Sequence, residues 1–508
     1  MALDMISSID DVLNVRMREA AVIDIGSNSV RLVVYRLEGR SIAPVLNEKV
    51  LAGLGRGLSA TGRLDPAGVL SAIASLKRFR LMLNALEITE IYPFATAAVR
   101  DATDGPAFLK HVSQEAGFNV RVLTGNEEAQ FAALGVQAGA PYAAGIVGDL
   151  GGSSLELVEL DGNLADGGET HRLGPLAAGI IDPFDRGQAL DFIETALADS
   201  RVLSRAQGSV FHAVGGAWRS LARIDMALRS YPLHVLHNYS IPRAEAEALA
   251  DFVSRQSKRS LEKLQGTAGR RAETLPYAAL LLGVLMARGG FERVSLSSYG
   301  VREGLLFNTM ESHVRSHDPL LSGAAAMAGG DRRTKAFGAA LSRWVAPAFD
   351  ALTPLFDRKR EAVLRDACCQ FADIGAALHP DHRAPTAFDL VLHGPFAGAE
   401  HFERAFMAVA IHRRYAARGN PPELNVVQRL LSVEARARAE ALGAAMRLGA
   451  DLSARSAILL RDVSLKVVDG SLILHAHSGL GALITDQVRK RLDQLGDALK
   501  MPVRVTIE

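Results

Sequence analysis

Between Ala21 and about Leu123, short apolar runs rich in β-branched residues alternate with amphipathic stretches, the pattern of an α/β layer structure. The first run, Ala21–Ile23, breaks into Asp-Ile-Gly-Ser-Asn-Ser and resumes as Val-Arg-Leu-Val-Val-Tyr, which predicts a buried hairpin with a small polar turn. "GVLSAIASLKRFRLMLNAL" (Gly68–Leu86) predicts a helix, and "IYPFATAAV" (Ile91–Val99) a strand. A second α/β stretch follows, with strands expected at 145–149, 154–160, 209–214 and 293–297 and helices between them. After Ser312 the strand signal disappears. Residues 333–447 read as successive helices rich in Ala, Arg and Leu, with turns at "LHPDHRAP" and "ARGNPPE". The last sixty or so residues regain strands at "VSLKVVDGSLILHA" and "PVRVTIE" around a helix near Leu480–Leu499, and no low-complexity linker separates these parts.

The chain has 508 residues, too many for one core, and a length prior of roughly 150 residues per domain suggests three or four domains. Lys and Arg number 57 against 56 for Asp and Glu, a net charge of +1, so nothing global points to nucleic acid or membrane and any polyanion site must be local. Cys368 and Cys369 are adjacent in a predicted helix, where their side chains diverge, so a structural disulfide is not expected and a reducing cytoplasm fits. The N-terminal segment carries acids inside its apolar pattern and lacks the layout of a signal peptide. The longest apolar run, within Leu275–Ala287, is too short to span a bilayer. A cytoplasmic protein is expected.

One internal echo carries chemistry. "DIGSNSVR" (Asp24–Arg31) and "DLGGSSLE" (Asp149–Glu156) share Asp, Gly and Ser at the same offsets, each between two apolar strands. Turns of Gly and Ser aim backbone N–H groups one way and add hydroxyl donors without bulk, which suits phosphate oxygens. A single such turn is what any hairpin with good turn residues looks like. Two of them with opposed final charges say more: Arg31 offers a cationic fork, while Glu156, Asp149 and Asp24 offer oxygen ligands for a divalent cation.

These turns, with "ATAAVRDA" (Ala95–Ala102), "LTGNEEA" (Leu123–Ala129), "AVGGAWRSLARI" (Ala213–Ile224), "YPLHVLHNY" (Tyr231–Tyr239) and "SSYGVREGLL" (Ser297–Leu306), run in order through residues 21–307. Together they resemble the exopolyphosphatase and guanosine pentaphosphate phosphatase family, a branch of the superfamily of actin and the sugar kinases. The resemblance implies two actin-like, ribonuclease H-like α/β domains around a cleft (1–130 and 131–313), a helical HD-like domain (314–430) and a small α/β C-terminal domain (431–508). It implies Mg2+-dependent, processive hydrolysis of the terminal phosphoanhydride of inorganic polyphosphate, releasing orthophosphate. A monovalent cation such as K+ and a homodimer belong to the same expectation, and nucleic acid and membrane do not.

Residue by residue, the resemblance makes Glu127 the base that orients and deprotonates water, with Glu128 pointing elsewhere. It assigns phosphate to Ser27, Asn28, Ser29, Arg31, Arg56, Arg100, Gly151, Gly152, Ser153 and Ser154, and Mg2+ to Asp24, Asp149 and Glu156. Gly215 and Gly216 match a third glycine turn, which serves either ligand approach or tight packing. The second turn departs from the commoner family pattern at Ser153, in place of a glycine, and at Leu155, in place of a threonine.

In the HD-like region "QFADIGAALHPDH" puts Ala372 before Asp373, so the pairing histidine of a metal site is missing. His379, His382, His393 and His412 remain as scattered candidates, and Arg413 and Arg414 as a local basic pair. The alternatives are a guanosine pentaphosphate 5′-phosphohydrolase, a kinase on the same fold and a sensor of polyphosphate or of guanosine penta- or tetraphosphate. A kinase should show an acceptor-activating aspartate, and a sensor should have lost Glu127 or Glu156; both glutamates are present.

Overall fold

The computed structural model describes residues 17–161, 163–164, 167–176, 184–264, 272–329 and 332–507, so the segment read for a signal peptide, 1–16, lies outside the described residues. The chain forms two compact units, one of residues 17–316 and one from residue 317 onward.

The first unit holds two sheets of one design. In the first, β1 (Arg18–Ile25), β2 (Val30–Glu38) and β3 (Ser41–Val50) form an antiparallel meander, and β4 (Glu90–Ala95) and β5 (Arg121–Val122) add in parallel beside β1, giving the order β3-β2-β1-β4-β5. Ala20–Ile23 are all buried because both faces are covered, which is why this strand reads as a continuous apolar run. Helices α1 (Pro66–Ala85) and α3 (Gly105–Ala116) pack Phe79 and Phe108 against one face. Between them in the chain stands the short helix α2 (Ala97–Asp101). The strand expected over 91–99 therefore stops at Ala95, and Thr96 is the N-cap of α2.

The second sheet repeats the plan: β6 (Ala144–Leu150), β7 (Leu155–Asp161) and β8 (Asn163–Leu164) form the meander and β10 (Val210–Gly215) and β12 (Arg293–Leu296) the parallel extension, with β9 (Glu169–His171) on β7 and β11 (Ser240–Pro242) on β12. Helices α5 (Gly216–Leu228) and α6 (Leu275–Gly289) close its main core, where Trp218 meets Phe211 edge-on.

Helix α4 (Gly125–Gly139) serves both sheets. Phe131, Leu134 and Ala138 join the core of the first sheet, and Ala129, Ala132, Ala133 and Val136 pack with Val147 and Val158 of the second. A helix apolar around most of its circumference is a buried one. The domain boundary expected between residues 130 and 131 falls inside this helix. Helix α7 (Val301–Asn308) crosses α4 at glycines: a Cβ on Gly304 would meet the Phe131 carbonyl oxygen at 1.8 Å, and one on Gly135 the Gly300 carbonyl oxygen at 2.2 Å.

The second unit is mainly helical, with α8 (Pro319–Ala328), α9 (Arg332–Asp350), α10 (Arg358–Gln370), α11 (Arg383–Leu392), α12 (His401–Tyr415), α13 (Leu424–Leu430) and α14 (Val433–Ser453). Cys368 and Cys369 are free and buried on α10. A small sheet follows, β13 (Val463–Val468) antiparallel to β14 (Ser471–Ala476) and β14 parallel to β15 (Val503–Ile507), with α15 (Asp486–Leu499) between the last two. No helix among the described residues is long and apolar enough to cross a membrane.

Candidate active site

The two echoed turns have the same backbone. Asp24 pairs with Arg31 and Ile25 with Val30 across the first; Asp149 pairs with Glu156 and Leu150 with Leu155 across the second. Each is closed by one bond, from the Gly26 N–H to the Ser29 carbonyl (3.0 Å) and from the Gly151 N–H to the Ser154 carbonyl (2.9 Å). The turns touch: the Ser153 hydroxyl donates to Ser27 Oγ at 2.8 Å, and a Cβ on Gly152 would stand 3.2 Å from Ser27 Cβ.

Each turn is also braced from behind. The Gly53 and Gly55 N–H groups of "GLGRGL" donate to the carbonyls of Asn28 (3.1 Å) and Ser27 (2.8 Å). Gly53 sits at φ +72°, and Arg56 is exposed on this loop beside it. The second turn is held by the Leu176 N–H on the Gly152 carbonyl (2.8 Å) and by Gly174, whose own Cβ would lie 2.3 Å from the Ser153 main chain.

Two arginines gather on the first turn's side. Arg31 donates through Nε to Asn47 (2.8 Å), and its pKa is lowered by burial and by the neighbouring Arg302. Arg302, on the first turn of α7, stands 3.9 Å from Asp24. Burial opposes its charge, but Glu303, Tyr35 and Asp24 outweigh that and raise its pKa. Glu303 is itself fixed, accepting from the Gly300 N–H at 2.9 Å and from the Tyr35 hydroxyl. Arg302 was not among the expected site residues, although it lies in the "SSYGVREGLL" segment. Two guanidiniums that repel each other in a half-buried place form a site an anion relieves.

Four carboxylates bear on one another here: Glu128 and Glu156 are buried, and Asp149 and Asp24 are half-buried, Asp24 beside Arg302. Burial pushes Asp149 up to about 6, against Arg219 and helped by Asp24. Burial raises Glu156 well above the usual carboxylate range, helped by Glu128, and its Oε1 is buried with no hydrogen-bond partner. Asp24 is raised by burial against Arg302 and Arg31. Glu128 is pushed up to about 7, chiefly by burial against the pull of Arg100, with Asp149 and Asp24 adding repulsion.

Glu128, not Glu127, is the member of this group. Thr124 caps α4 in a capping box: its hydroxyl accepts from the Glu127 N–H, and the Glu127 carboxylate accepts from the Thr124 N–H at 2.8 Å. Arg121 pairs with the same carboxylate, and these bonds hold its pKa below the usual range. One residue on, a rotation of about 100° turns Glu128 inward, where it pairs with Arg100.

Arg100, directly after the expected strand 91–99, lies instead in the last turn of α2, and it also donates to the Leu123 carbonyl at 2.9 Å. Gly215 pairs with Leu150 across β10 and β6 at φ +122°, where a Cβ would meet the Leu150 carbonyl oxygen at 2.5 Å. That favours the packing role for Gly215, and Gly216 opens α5 directly after it. Arg219 of α5, another residue not expected, donates to the Gly215 carbonyl at 3.1 Å and bears on Asp149.

In the second unit, buried Asp373 is paired with Arg414 (3.5 Å) and Arg455 (3.6 Å). His379 and His382 are exposed neighbours with ring centroids 6.0 Å apart, and His412 is packed edge-on to Phe388 with its pKa lowered by burial. The four candidate histidines do not converge on one place.

Residues 33–313, more than half of the chain, match the model described as the Ppx/GppA phosphatase family. The chain belongs to this family. Residues 321–502 match a further model, described as the C-terminal part of exopolyphosphatase. A Mycobacterium tuberculosis relative named exopolyphosphatase 1 is 27% identical over 306 residues, 57% of this chain and 88% of its own length. An Aeromonas hydrophila relative named guanosine-5′-triphosphate,3′-diphosphate pyrophosphatase is 24% identical over 57% of this chain and 59% of its own. The crystal structure of an exopolyphosphatase from Cytophaga hutchinsonii superposes with a TM-score of 0.52 at 21% identity, covering 57% of this chain and 97% of that one. Family members share the actin-like fold, to which the two repeated sheets of the first unit belong.

Proposed function

We propose that the protein is an exopolyphosphatase that hydrolyses the terminal phosphoanhydride of inorganic polyphosphate, processively and with Mg2+, releasing orthophosphate. The observation that carries the reading is the meeting of the two turns at Ser27 and Ser153, with Arg31 and Arg302 beside Asp24 and four raised carboxylates, Asp24 among them, bearing on one another. Phosphoryl transfer asks little covalent chemistry of a protein; it needs a held phosphate, an oriented water and compensation of charge on the non-bridging oxygens.

In this reading Ser27, Asn28, Ser29 and Gly151 to Ser154 grip the terminal phosphate, and Arg31, Arg302 and Arg100 compensate its charge. Arg56, exposed on the bracing loop, meets more distant phosphates. Glu128 takes the base role expected of Glu127: a buried carboxyl near 7 is poised to accept a proton from water at neutral pH. Residues 17–316 act as the phosphatase unit.

The acids also fit a magnesium ion. The Glu156 oxygen without a partner wants a ligand, and crowded carboxylates in a dry place are relieved by a cation. Asp149, Glu156 and Asp24 would hold it, partly through water, since their donor atoms do not all lie within 4.8 Å of one another. Bound there, Mg2+ would offset charge developing on the phosphate oxygens. Residues 314–430 are read as the HD-like domain with a degenerate metal site, where Arg414 and Arg455 neutralise Asp373. Residues 431–508 are read as the small C-terminal α/β domain.

Phosphate release from long-chain polyphosphate, guanosine pentaphosphate and ATP, with and without Mg2+, tests the reading. Polyphosphate should be the best substrate; better turnover of the nucleotide would make the protein the alarmone phosphatase instead. Glu128→Gln should lower kcat about 10² to 10⁴-fold with polyphosphate binding retained, while Glu127→Gln costs mainly a helix cap. The reverse pattern would return the base role to Glu127.

A further inference from the structure

We propose that Asp389, His393 and Glu423 form a surface site for one divalent transition-metal ion of the zinc type, apart from the magnesium-binding acids. Asp389 and His393 lie four residues apart on the exposed side of α11 and at its end, so they sit one above the other across a single turn, with the His393 N–H bonded to the Asp389 carbonyl at 3.0 Å. Glu423 ends the turn that follows α12 and occupies the N-cap position of α13. Its carboxylate accepts no bond from that helix and instead approaches His393 Nε2 at 3.6 Å. One donor atom from each residue lies within 4.8 Å of the other two, the only such trio among the described residues.

Three features separate this place from an ordinary ion pair. No arginine or lysine among the described residues is paired with Asp389 or Glu423, so the two carboxylates face each other and an imidazole with no fixed cation between them. The donor chemistry, one imidazole nitrogen and two carboxylate oxygens, suits zinc and its neighbours, whereas magnesium prefers oxygen alone. Metal–donor bonds of about 2.0–2.2 Å put tetrahedral donors about 3.4 Å apart, close to the existing His393–Glu423 separation. The Asp389 carboxylate, exposed and unpartnered, can rotate to complete the set, leaving the fourth position to water. The ion would tie the end of α11 to the start of α13, two helices separated in the chain by all of α12.

The full-length, untagged chain should be titrated with Zn2+ by calorimetry in saturating Mg2+, and with Co2+ as a visible-absorption probe. Wild type should bind one Zn2+ and give a Co2+ ligand-field band. His393→Ala should lose the band and weaken Zn2+ binding roughly tenfold or more, as should the near-isosteric Asp389→Asn and Glu423→Gln, which guard against a change of fold. Phosphate release with Mg2+ should be the same in all four proteins, so this proposal and the assignment of the active site fail separately. Equal stoichiometry and affinity in wild type and the triple variant would overturn the site, as would a wild type that binds no Zn2+.

Discussion

Across the first turn an aspartate faces an arginine; across the second, an aspartate faces a glutamate. Both turns have four residues, the same register and the same closing bond. The nest of small residues therefore sets a shape that welcomes an anion in either copy, and the side chain seven positions after the aspartate decides what else is drawn in. In the proposed function, that is the phosphate itself on one side, helped by Arg302, and on the other a cation that the phosphate shares.

Exchanging that one residue for a neutral amide should separate the two roles. Arg31→Gln removes a charged contact to phosphate and should raise KM for polyphosphate about 10- to 100-fold at an unchanged Mg2+ requirement. Glu156→Gln should instead raise the Mg2+ concentration needed for half-maximal rate, with a smaller change in KM. If both variants shifted the same parameter, the division of labour between the turns would be wrong.

The next contrast concerns the supports. Gly26→Ala places its Cβ no nearer than 3.4 Å to another atom and should be tolerated, whereas Gly174→Ala drives a Cβ to 2.3 Å from the Ser153 main chain. The second variant should lose about 1–3 kcal/mol of stability in urea titration and lose activity with it. Equal effects would mean that the turns do not depend on these braces in the way the geometry implies.

The smallest effect follows pH. The second lobe buries His212 on β10, its pKa lowered by burial, while the only histidine of residues 17–139, His111, is exposed. A group whose folded pKa lies below its ordinary value of about 6.5 is protonated first in the unfolded chain, so stability is lost as pH falls from that value toward the folded one. The raised carboxylates of the site act alike in wild type and in His212→Gln, which keeps a donor for the Ala144 carbonyl without titrating, so between pH 7.5 and 5.5 the urea midpoint of wild type should fall relative to that of the variant. Parallel curves would remove His212 as the cause.

Much of this was legible in the chain. Apolar runs marked β6, β7, β10 and β12 to within a residue, while β3, β5, β8, β9 and β11 carried no expectation, and the echo of "DIGSNSVR" in "DLGGSSLE" marked the turns that meet. The choice between Glu127 and Glu128 was misread, because a capping glutamate and a buried carboxylate stand one residue apart at the start of α4. The Thr-x-x-Glu spacing after Leu123 was the available signal that Glu127 is the capping one. "ATAAV" passed for strand because alanine and valine fit either state, while Thr96 was the sign of a helix start. Arg302 and Arg219 stand within "SSYGVREGLL" and "AVGGAWRSLARI", but what makes them site residues, their bearing on Asp24 and Asp149, comes from parts of the chain far away in sequence, as does the approach of Gly174 to Ser153.

Helix α4 has a consequence for how the first unit comes apart. Its residues are divided between two cores, so a fragment that ends before it leaves the first sheet without Phe131 and Leu134, and one that keeps it leaves Ala132 and Val136 bare. Neither lobe is a self-sufficient folding unit. Heat should therefore melt both lobes in one cooperative step, and amides of β1 and β6 should become exchangeable together rather than in sequence.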